Sequence, residues 1–258
     1  MSDAMNFTGK VAISTGAASG MGLLFAENFA ALGGNVVMCD VNEKALCEKC
    51  AAINEKGNGC AIAIACDVCD YEQVKFVCDK AVEEFGCIDV VVNFAGGYGP
   101  RLRGIDPSAY PEFPDIPIEV LSWSLDLNLK GPFYFAHAAL AHMRTKRSGL
   151  IVNIGSITGA EGSPYGMDYP TAKAGLMYGL TKSIAQYGSK YGIRCVCVSP
   201  GPVLTRASMA SMKTLMNRAA EPQEIIDLIL FLASEKGQFI NGENIMIDGG
   251  RNAMGRWS

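Results

Sequence analysis

Long apolar runs, an excess of positive charge, histidine and the common hydrolytic signatures are all scarce in this chain. No stretch of roughly 18 or more consecutive apolar residues occurs in its 258 residues, so no segment reads as a membrane-spanning helix. Lysine and arginine number 22 against 26 acidic residues, a formal charge of -4, which gives neither nucleic acid nor an anionic membrane a reason to bind. We therefore expect a small-molecule partner, no nucleic acid and no membrane. The two histidines, His137 and His142, fall together on one predicted helix and read as interface or surface residues. No G-x-S-x-G elbow, H-E-x-x-H pair or P-loop is present, which argues against a serine hydrolase, a zinc protease and a P-loop nucleotidase. The opening MSDAMNFTGKVAIS lacks a basic region followed by an apolar stretch and a small-residue cleavage site, and the expected location is the cytoplasm.

Cysteine is not scarce. Ten are spread along the chain, and Cys47-x2-Cys50 and Cys66-x2-Cys69, 15 residues apart, formally match a four-thiolate zinc pattern. The first pair falls in the helical run VNEKALCEKCAAINEKG and Cys66 ends an apolar strand, without the glycine-rich knuckles of zinc ribbons. We read reduced thiols packed as small apolar residues, and no metal.

Apolar residues make up 49% of the chain and fall in short runs separated by amphipathic stretches. KVAIST, NVVMCD, GCAIAIACDV, IDVVVNFAG, GLIVNIGS, IRCVCVSP and ENIMIDGG read as strands. Between them lie predicted helices at about Gly20–Leu32, to about Phe85, over Leu121–Met143, over Tyr169–Lys190 and over Pro222–Ser234. Runs of Val, Ile and Ala with little alternation suit strands buried on both faces, with the intervening helices as cover. The expected fold is α/β, a doubly wound parallel sheet of Rossmann type. No repeat, low-complexity tract or linker interrupts residues 1–258, which we read as one domain. Two segments break the rhythm and are assigned to the substrate side: 97–118, rich in Pro, Gly and aromatics, and 206–220, rich in Met.

After the first strand comes Thr15-Gly16-Ala17-Ala18-Ser19-Gly20-Met21-Gly22, leading into a helix. Such glycines let the backbone turn tightly and approach a pyrophosphate, which the amides and the helix N-terminus hold; Gly16, Ser19, Gly20, Met21 and Gly22 are the candidates. The second strand ends at Asp40, 18 residues after Gly22, where a carboxylate accepts the ribose hydroxyls of NAD and repels the 2′-phosphate of NADP. The expected cofactor is NAD.

The spacing TGxxxGxG resembles that of the short-chain dehydrogenase/reductase family, and the resemblance spans essentially the whole chain. It implies that Asp67 and Val68 contact adenine and that Asn93-Phe94-Ala95-Gly96 is the family's Asn-Asn-Ala-Gly strand end, with Phe94 in place of the second Asn. It also implies that Pro200, Gly201, Val203 and Thr205 form the loop holding the nicotinamide carboxamide.

Tyr169-Pro170-Thr171-Ala172-Lys173 places a phenol and an ammonium on one helical face, where the cation favours phenolate and makes the tyrosine a usable acid/base near neutrality. Both would also reach the bound ribose. The resemblance adds Ser156, 13 residues before Tyr169, as donor to the substrate oxygen, and Asn128 as holder of a water linked to Lys173. Together these imply an oxidoreductase passing a hydride between NAD and a secondary alcohol or ketone. Two other readings stay open: a non-catalytic NAD-sensing or scaffold protein on this fold, and an NAD-using epimerase or dehydratase. The family resemblance, with Phe133, Tyr134, Phe135, Leu176, Met177 and Tyr178 on two long helices, also implies a homotetramer or dimer. The substrate stays open between a bulky apolar alcohol or ketone, suited to Met209, Met212, Leu215 and Met216, and a polyol, sugar or acid, suited to Arg101 and Arg103.

Overall fold

The computed structural model describes residues 5–102, 104 and 111–254. Strands β1 (Val11–Thr15), β2 (Asn35–Asp40), β3 (Ala61–Ala65), β4 (Val90–Asn93), β5 (Gly149–Ile154), β6 (Ile193–Pro200) and β7 (Asn244–Ile247) form one parallel sheet in the order β3-β2-β1-β4-β5-β6-β7. Helices α1 (Gly20–Ala31), α2 (Glu43–Asn54) and α10 (Pro222–Ala233) cover one face. The other is covered by α3 (Tyr71–Phe85), α6 (Gly131–Lys146) and α9 (Thr181–Gly188). The doubly wound sheet expected from the sequence is the fold observed.

The unbroken Val/Ile/Ala runs have a direct cause. Successive strand side chains point to opposite faces, and both faces are core. Ala12, Val36, Val92 and Val152 enter the core under α1 and α10, while their neighbours Ile13, Val37, Val91 and Ile151 enter the core under α3 and α6. Each aliphatic side chain so buried stabilises the fold by about 1.5–3 kcal/mol, and a polar residue on either face would forfeit that. Chain order reverses between β1 and β4, which opens a crevice at their C-terminal ends where open α/β sheets bind ligands.

The helix expected over Leu121–Met143 belongs to a longer helical run: α5 (Ile118–Leu125), a π-helical turn (Asp126–Lys130) and α6. Pro132 explains the wide turn. It lacks the N–H that would reach the carbonyl four residues back, and its ring crowds that carbonyl, which belongs to Asn128. The helix expected over Tyr169–Lys190 is likewise composite: α8 (Asp168–Ala174), a π turn (Gly175–Leu180), α9 and a 3-10 turn (Ser189–Tyr191). Two short helices lie at the crevice, α4 (Gly99–Leu102) and α7 (Thr158–Glu161).

His137 is exposed at the surface and His142 is half-buried. Nδ1 of His137 lies 2.7 Å from the Tyr71 hydroxyl and Nε2 of His142 lies 2.9 Å from Asp79, so both join α6 to α3. Cys47 is exposed and Cys50 buried on α2, whereas Cys66 is buried and Cys69 half-buried after β3. Among the described residues, no helix is long and apolar enough to cross a membrane.

Candidate active site

A cavity of about 1100 Å³ follows the C-terminal edge of the sheet, from the ends of β2 and β3 to the loops after β5 and β6. Its floor is set by the turn between β1 and α1. Gly16 and Gly20 take left-handed backbone (φ +63° and +58°), which disfavours any side chain. A Cβ on Gly22 would sit 2.5 Å from the Gly16 carbonyl oxygen, so helix and strand meet there with no room for one. The Ser14 hydroxyl donates to the Gly22 carbonyl (2.9 Å) and the Ala95 amide donates to the Thr15 hydroxyl (2.8 Å), tying the turn to the ends of β1 and β4. The Ser19 side chain makes no capping bond to α1, and the first turn holds no acid. The leading amides of a 12-residue helix are thus left without a side-chain cap, as an anion site requires. A dinucleotide fits this cradle.

The other predicted cofactor residues fall along the same wall. Gly16, Ser19, Gly20, Met21, Gly22, Asp40, Asp67, Val68, Ala95, Gly96, Pro200, Gly201, Val203 and Thr205 all line the cavity. Asp40 accepts hydrogen bonds from the amides of Ala18 (3.1 Å) and Asn42 (2.9 Å), which fixes its carboxylate at the lip beside the glycine turn. Phe94 lines the cavity too, its ring 5.8 Å from that of Phe25. Apolar packing therefore occupies the place of the family's second asparagine. Asn93 is the exception among the predicted cofactor residues. It is buried under the wall, donating from Nδ2 to Asn153 Oδ1 (2.9 Å), and its own Oδ1 has no partner among the described residues.

At the reactive end, α8 begins at Asp168 and puts Tyr169 and Lys173 one turn apart on the cavity wall. Lys173 is buried. Its Nζ donates to the Ile154 carbonyl at the end of β5 (2.8 Å) and lies 5.5 Å from the Tyr169 ring centre. Burial disfavours the ammonium and pushes its pKa down to about 8. Ser156 follows β5, its hydroxyl 2.9 Å from that of Thr158, whose amide donates to Ser156 Oγ at 3.3 Å. Thr158 thus orients the serine.

Asn128 does not reach the cavity wall. Its Oδ1 accepts from the Gly97 amide (2.8 Å), and its Nδ2 donates to the carbonyls of Gly97 (2.9 Å) and Ser124 (2.9 Å). A Cβ on Gly96 would stand 2.6 Å from Asn128 Oδ1 and 3.5 Å from Lys173 Nζ, so these three residues are mutual neighbours. The π turn aims the Asn128 carboxamide at the Gly96–Gly97 backbone, and the asparagine holds that strand end beside the lysine.

Several wall residues were not singled out from sequence. Tyr98, Leu102, Trp123, Ser163, Tyr165 and Gly166 close the substrate side. Tyr98 and Leu102 fall in the segment 97–118 already assigned to the substrate side, while the signal for Ser163, Tyr165 and Gly166 lay in the glycines at 162 and 166, whose positive φ shapes the loop between Ser156 and Tyr169. In the second substrate-side segment Arg206, Met209 and Met212 line the cavity, whereas Leu215 and Met216 do not and are exposed. The side chain of Arg101 and all of Arg103 lie outside the described residues. Asp168 was also missed: it is buried, and neither carboxylate oxygen has a hydrogen-bond partner among the described residues. An acid in a helix's first turn reads from sequence as an exposed partner of the helix dipole, which hides such burial.

The family model described as Enoyl-(Acyl carrier protein) reductase matches residues 16–252. Trans-4-hydroxycyclohexanecarboxylate dehydrogenase of Sinomonas cyclohexanicum is 39% identical over 95% of this chain and 93% of its own. L-fucose dehydrogenase of Oryctolagus cuniculus is 33% identical over 97% of this chain and 87% of its own. 7alpha-hydroxysteroid dehydrogenase of Bacteroides fragilis is 31% identical over 95% of each chain.

Proposed function

We propose, since the chain belongs to the short-chain dehydrogenase/reductase family, that it is an NAD-dependent oxidoreductase acting on a secondary alcohol or ketone, with Tyr169 as acid/base. The relatives named above are dehydrogenases of hydroxylated substrates, which supports action on a CH–OH group. The carrying observation is the meeting of Ser156, Tyr169 and Lys173 in the cavity that also contains the glycine turn of α1.

Gly16, Ser19, Gly20, Met21 and Gly22 would hold the pyrophosphate, Asp40 the adenosine ribose, and Asp67 with Val68 the adenine. Ala95, Gly96, Pro200, Gly201, Val203 and Thr205 would hold the nicotinamide half, and Tyr169 with Lys173 its ribose, while Asn93 and Asn128 brace this wall from behind. Bound nicotinamide supplies the two-electron acceptor. Ser156 Oγ donates to the substrate oxygen and holds it against Tyr169. The Tyr169 phenolate takes the hydroxyl proton, and Lys173, fixed by the Ile154 carbonyl, favours that phenolate while it remains charged. In the reducing direction the same phenol returns the proton. NAD is preferred because Asp40 stands where the 2′-phosphate of NADP would meet a like charge.

A panel of secondary alcohols followed by NADH absorbance tests this. Turnover of at least one alcohol with NAD, lost in Tyr169→Phe, is expected. Reduction or oxidation of none, with either dinucleotide, would refute it.

We also assign the chain to a homodimer or homotetramer. Of the six apolar helix residues named above, Phe135, Leu176 and Met177 are buried in the chain's own core, but Phe133 and Tyr178 are each 52% exposed. Light scattering at micromolar concentration decides, and a monomer mass rejects the assembly.

A further inference from the structure

Two segments frame the substrate side of the cavity. The first is α7 with the loop after it, which brings Thr158, Ser163 and Tyr165 into the wall. The second is the strap 206–220, which brings in Met209 and Met212 through the 3-10 turn Ala207–Ser211. The first segment is fixed on its neighbours. A Cβ on Gly159 would lie 2.5 Å from Met177 Sδ and 3.0 Å from the Ala174 nitrogen, so α7 packs directly on the helical run that carries Tyr169 and Lys173. A Cβ on Gly166 would lie 2.1 Å from Cε2 of Tyr98, so the loop before Tyr169 uses a glycine, with φ +59°, to seat the Tyr98 ring. In the strap, the amides of Met209 and Met212 donate within the turn, to the carbonyls of Arg206 and Met209, and the Met216 amide donates to the Gly249 carbonyl after β7 (3.1 Å).

One side chain joins the two segments. Arg251 opens the 3-10 turn Arg251–Ala253 that follows β7. Buried Asp248 shapes this turn, its carboxylate accepting from the amides of Gly250 (2.9 Å) and Asn252 (2.6 Å). A Cβ on Gly201 would lie 2.7 Å from Asp248 Cα, so the turn is seated on the loop after β6. From there Nε and Nη2 of Arg251 donate to the two carboxylate oxygens of Glu161, the last residue of α7, at 2.9 and 3.1 Å. Its Nη1 donates to the Lys213 carbonyl in the strap at 3.2 Å. Ion pairs open to solvent commonly contribute little, because two long side chains must be ordered to form them. A two-pronged fork is stronger and geometrically specific, and here it is tied to a third bond on the strap.

We infer that Arg251 is a positioning residue for substrate binding: clasped on Glu161, it holds the strap so that Met209 and Met212 close on the alcohol. The inference rests on the dehydrogenase reading of the site. Because α7 is fixed through Gly159 and the turn after β7 through Gly201, the strap is the part that yields when the clasp is cut. Ser156, Tyr169 and Lys173 keep their places. The loss therefore falls on substrate binding, in KM, and spares kcat and dinucleotide affinity.

The test is a double-mutant cycle of Arg251→Met and Glu161→Gln, read by steady-state kinetics on the best alcohol of the panel and by the rate of tryptic cleavage after Lys213, which is exposed. Arg251→Met is expected to raise KM about three- to tenfold, the scale of a lost charge-assisted pair, with kcat and NAD affinity within about twofold of wild type. Cleavage after Lys213 should quicken by a similar factor. Glu161→Gln, an isosteric change that leaves the bond to the Lys213 carbonyl, should give part of both effects, and the double variant no more than Arg251→Met alone. Wild-type KM in Arg251→Met, a fall in kcat with KM unmoved, or additive effects of the two substitutions would each overturn the inference. If no alcohol is turned over with either dinucleotide, it is the dehydrogenase reading that fails, and proteolysis then judges the clasp alone. Faster cleavage after Lys213 in both single variants sustains it, and cleavage at the wild-type rate removes it.

Discussion

The Lys173 ammonium stands 5.5 Å from the centre of the Tyr169 ring, buried, with its Nζ anchored on the Ile154 carbonyl at 2.8 Å. One residue therefore couples three parts of the molecule: the end of β5, the face of the phenol and the strand end that Asn128 holds. The bond to the Ile154 carbonyl ties this lysine to the central sheet rather than to solvent.

If Tyr169 carries the proton, removing its oxygen alone should remove turnover and little else. Tyr169→Phe is expected to lower kcat by about 10²- to 10⁴-fold, the range of general acid/base groups, while dinucleotide affinity by fluorescence titration stays near the wild-type value. Lys173→Met should differ by weakening dinucleotide binding as well. A Tyr169→Phe protein with wild-type kcat from acid to alkaline pH would mean another group moves the proton.

Asp40 accepts hydrogen bonds from the backbone amides of Ala18, in the glycine turn, and of Asn42, so its substitution both removes a charge and loosens the lip. Asp40→Ala is expected to lower kcat/KM with NAD by about 10- to 100-fold, as for a lost hydrogen bond to a charged group. Relief of repulsion toward a 2′-phosphate should offset part of that loss for NADP. The NAD/NADP ratio of kcat/KM should narrow; an unchanged ratio in the variant would detach Asp40 from cofactor choice.

Gly22 and Gly179 make a matched comparison. A Cβ at Gly22 meets the backbone carbonyl oxygens of Gly16 at 2.5 Å and Thr15 at 2.8 Å, atoms that cannot yield without opening the turn between β1 and α1. At Gly179 it meets nothing within 4 Å. Gly22→Ala should cost about 1–3 kcal/mol of stability through overpacking and weaken dinucleotide binding at least roughly tenfold. Gly179→Ala should be neutral or stabilising by up to about 1 kcal/mol. Thermal unfolding and a fluorescence titration of both variants check this, and similar behaviour of the two would remove the steric argument.

How much of this was legible beforehand follows from what each feature depends on. Strands buried on both faces leave a continuous apolar run, so the parallel sheet could be read from KVAIST or IRCVCVSP without a partner strand in view. The glycine turn, Asp40, Ser156, Tyr169 and Lys173 sit at strand ends or at helical spacing, and local sequence fixes both. Features that depend on distant contacts were not legible. The π turn at Asp126–Lys130 needed Pro132 to be weighed against Asn128, and the seat of Tyr98 on Gly166 joins segments 68 residues apart. The same holds for Phe135, Leu176 and Met177, which a helical wheel cannot distinguish from an interface stripe until the sheet beneath them is known. Burial of Asp168 and the backbone hydrogen bonds that occupy the Asn128 carboxamide belong to the same class.

The buried lysine also predicts how stability responds to pH. Its folded pKa is about 8 and the ordinary lysine value is 10.5, so below pH 8 both states bind the proton and the cost of burying the ammonium is present in full. Between pH 8 and 10.5 the folded protein releases a proton that the unfolded chain keeps. Stability rises with pH wherever the unfolded state binds more protons, so this contribution should grow across that window and level off above it. Buried thiols act in the opposite sense. Burial pushes Cys69 up to about 12 and Cys197 up to about 11 from 9.0, and raises Cys78 and Cys195 as well, so unfolding is favoured as pH rises past the ordinary thiol value. The lysine term must therefore be read as a difference. In cofactor-free protein carrying Cys197→Ser, which removes the one thiol that Lys173 itself lowers, the gap in unfolding free energy between the form with Lys173 and its Lys173→Met variant should shift toward the lysine form from pH 8 to pH 10.5, because the remaining buried thiols are common to both and cancel. A gap independent of pH across that range would show that Lys173 keeps its ordinary proton affinity despite burial, and the cation beside Tyr169 would then persist well above pH 8.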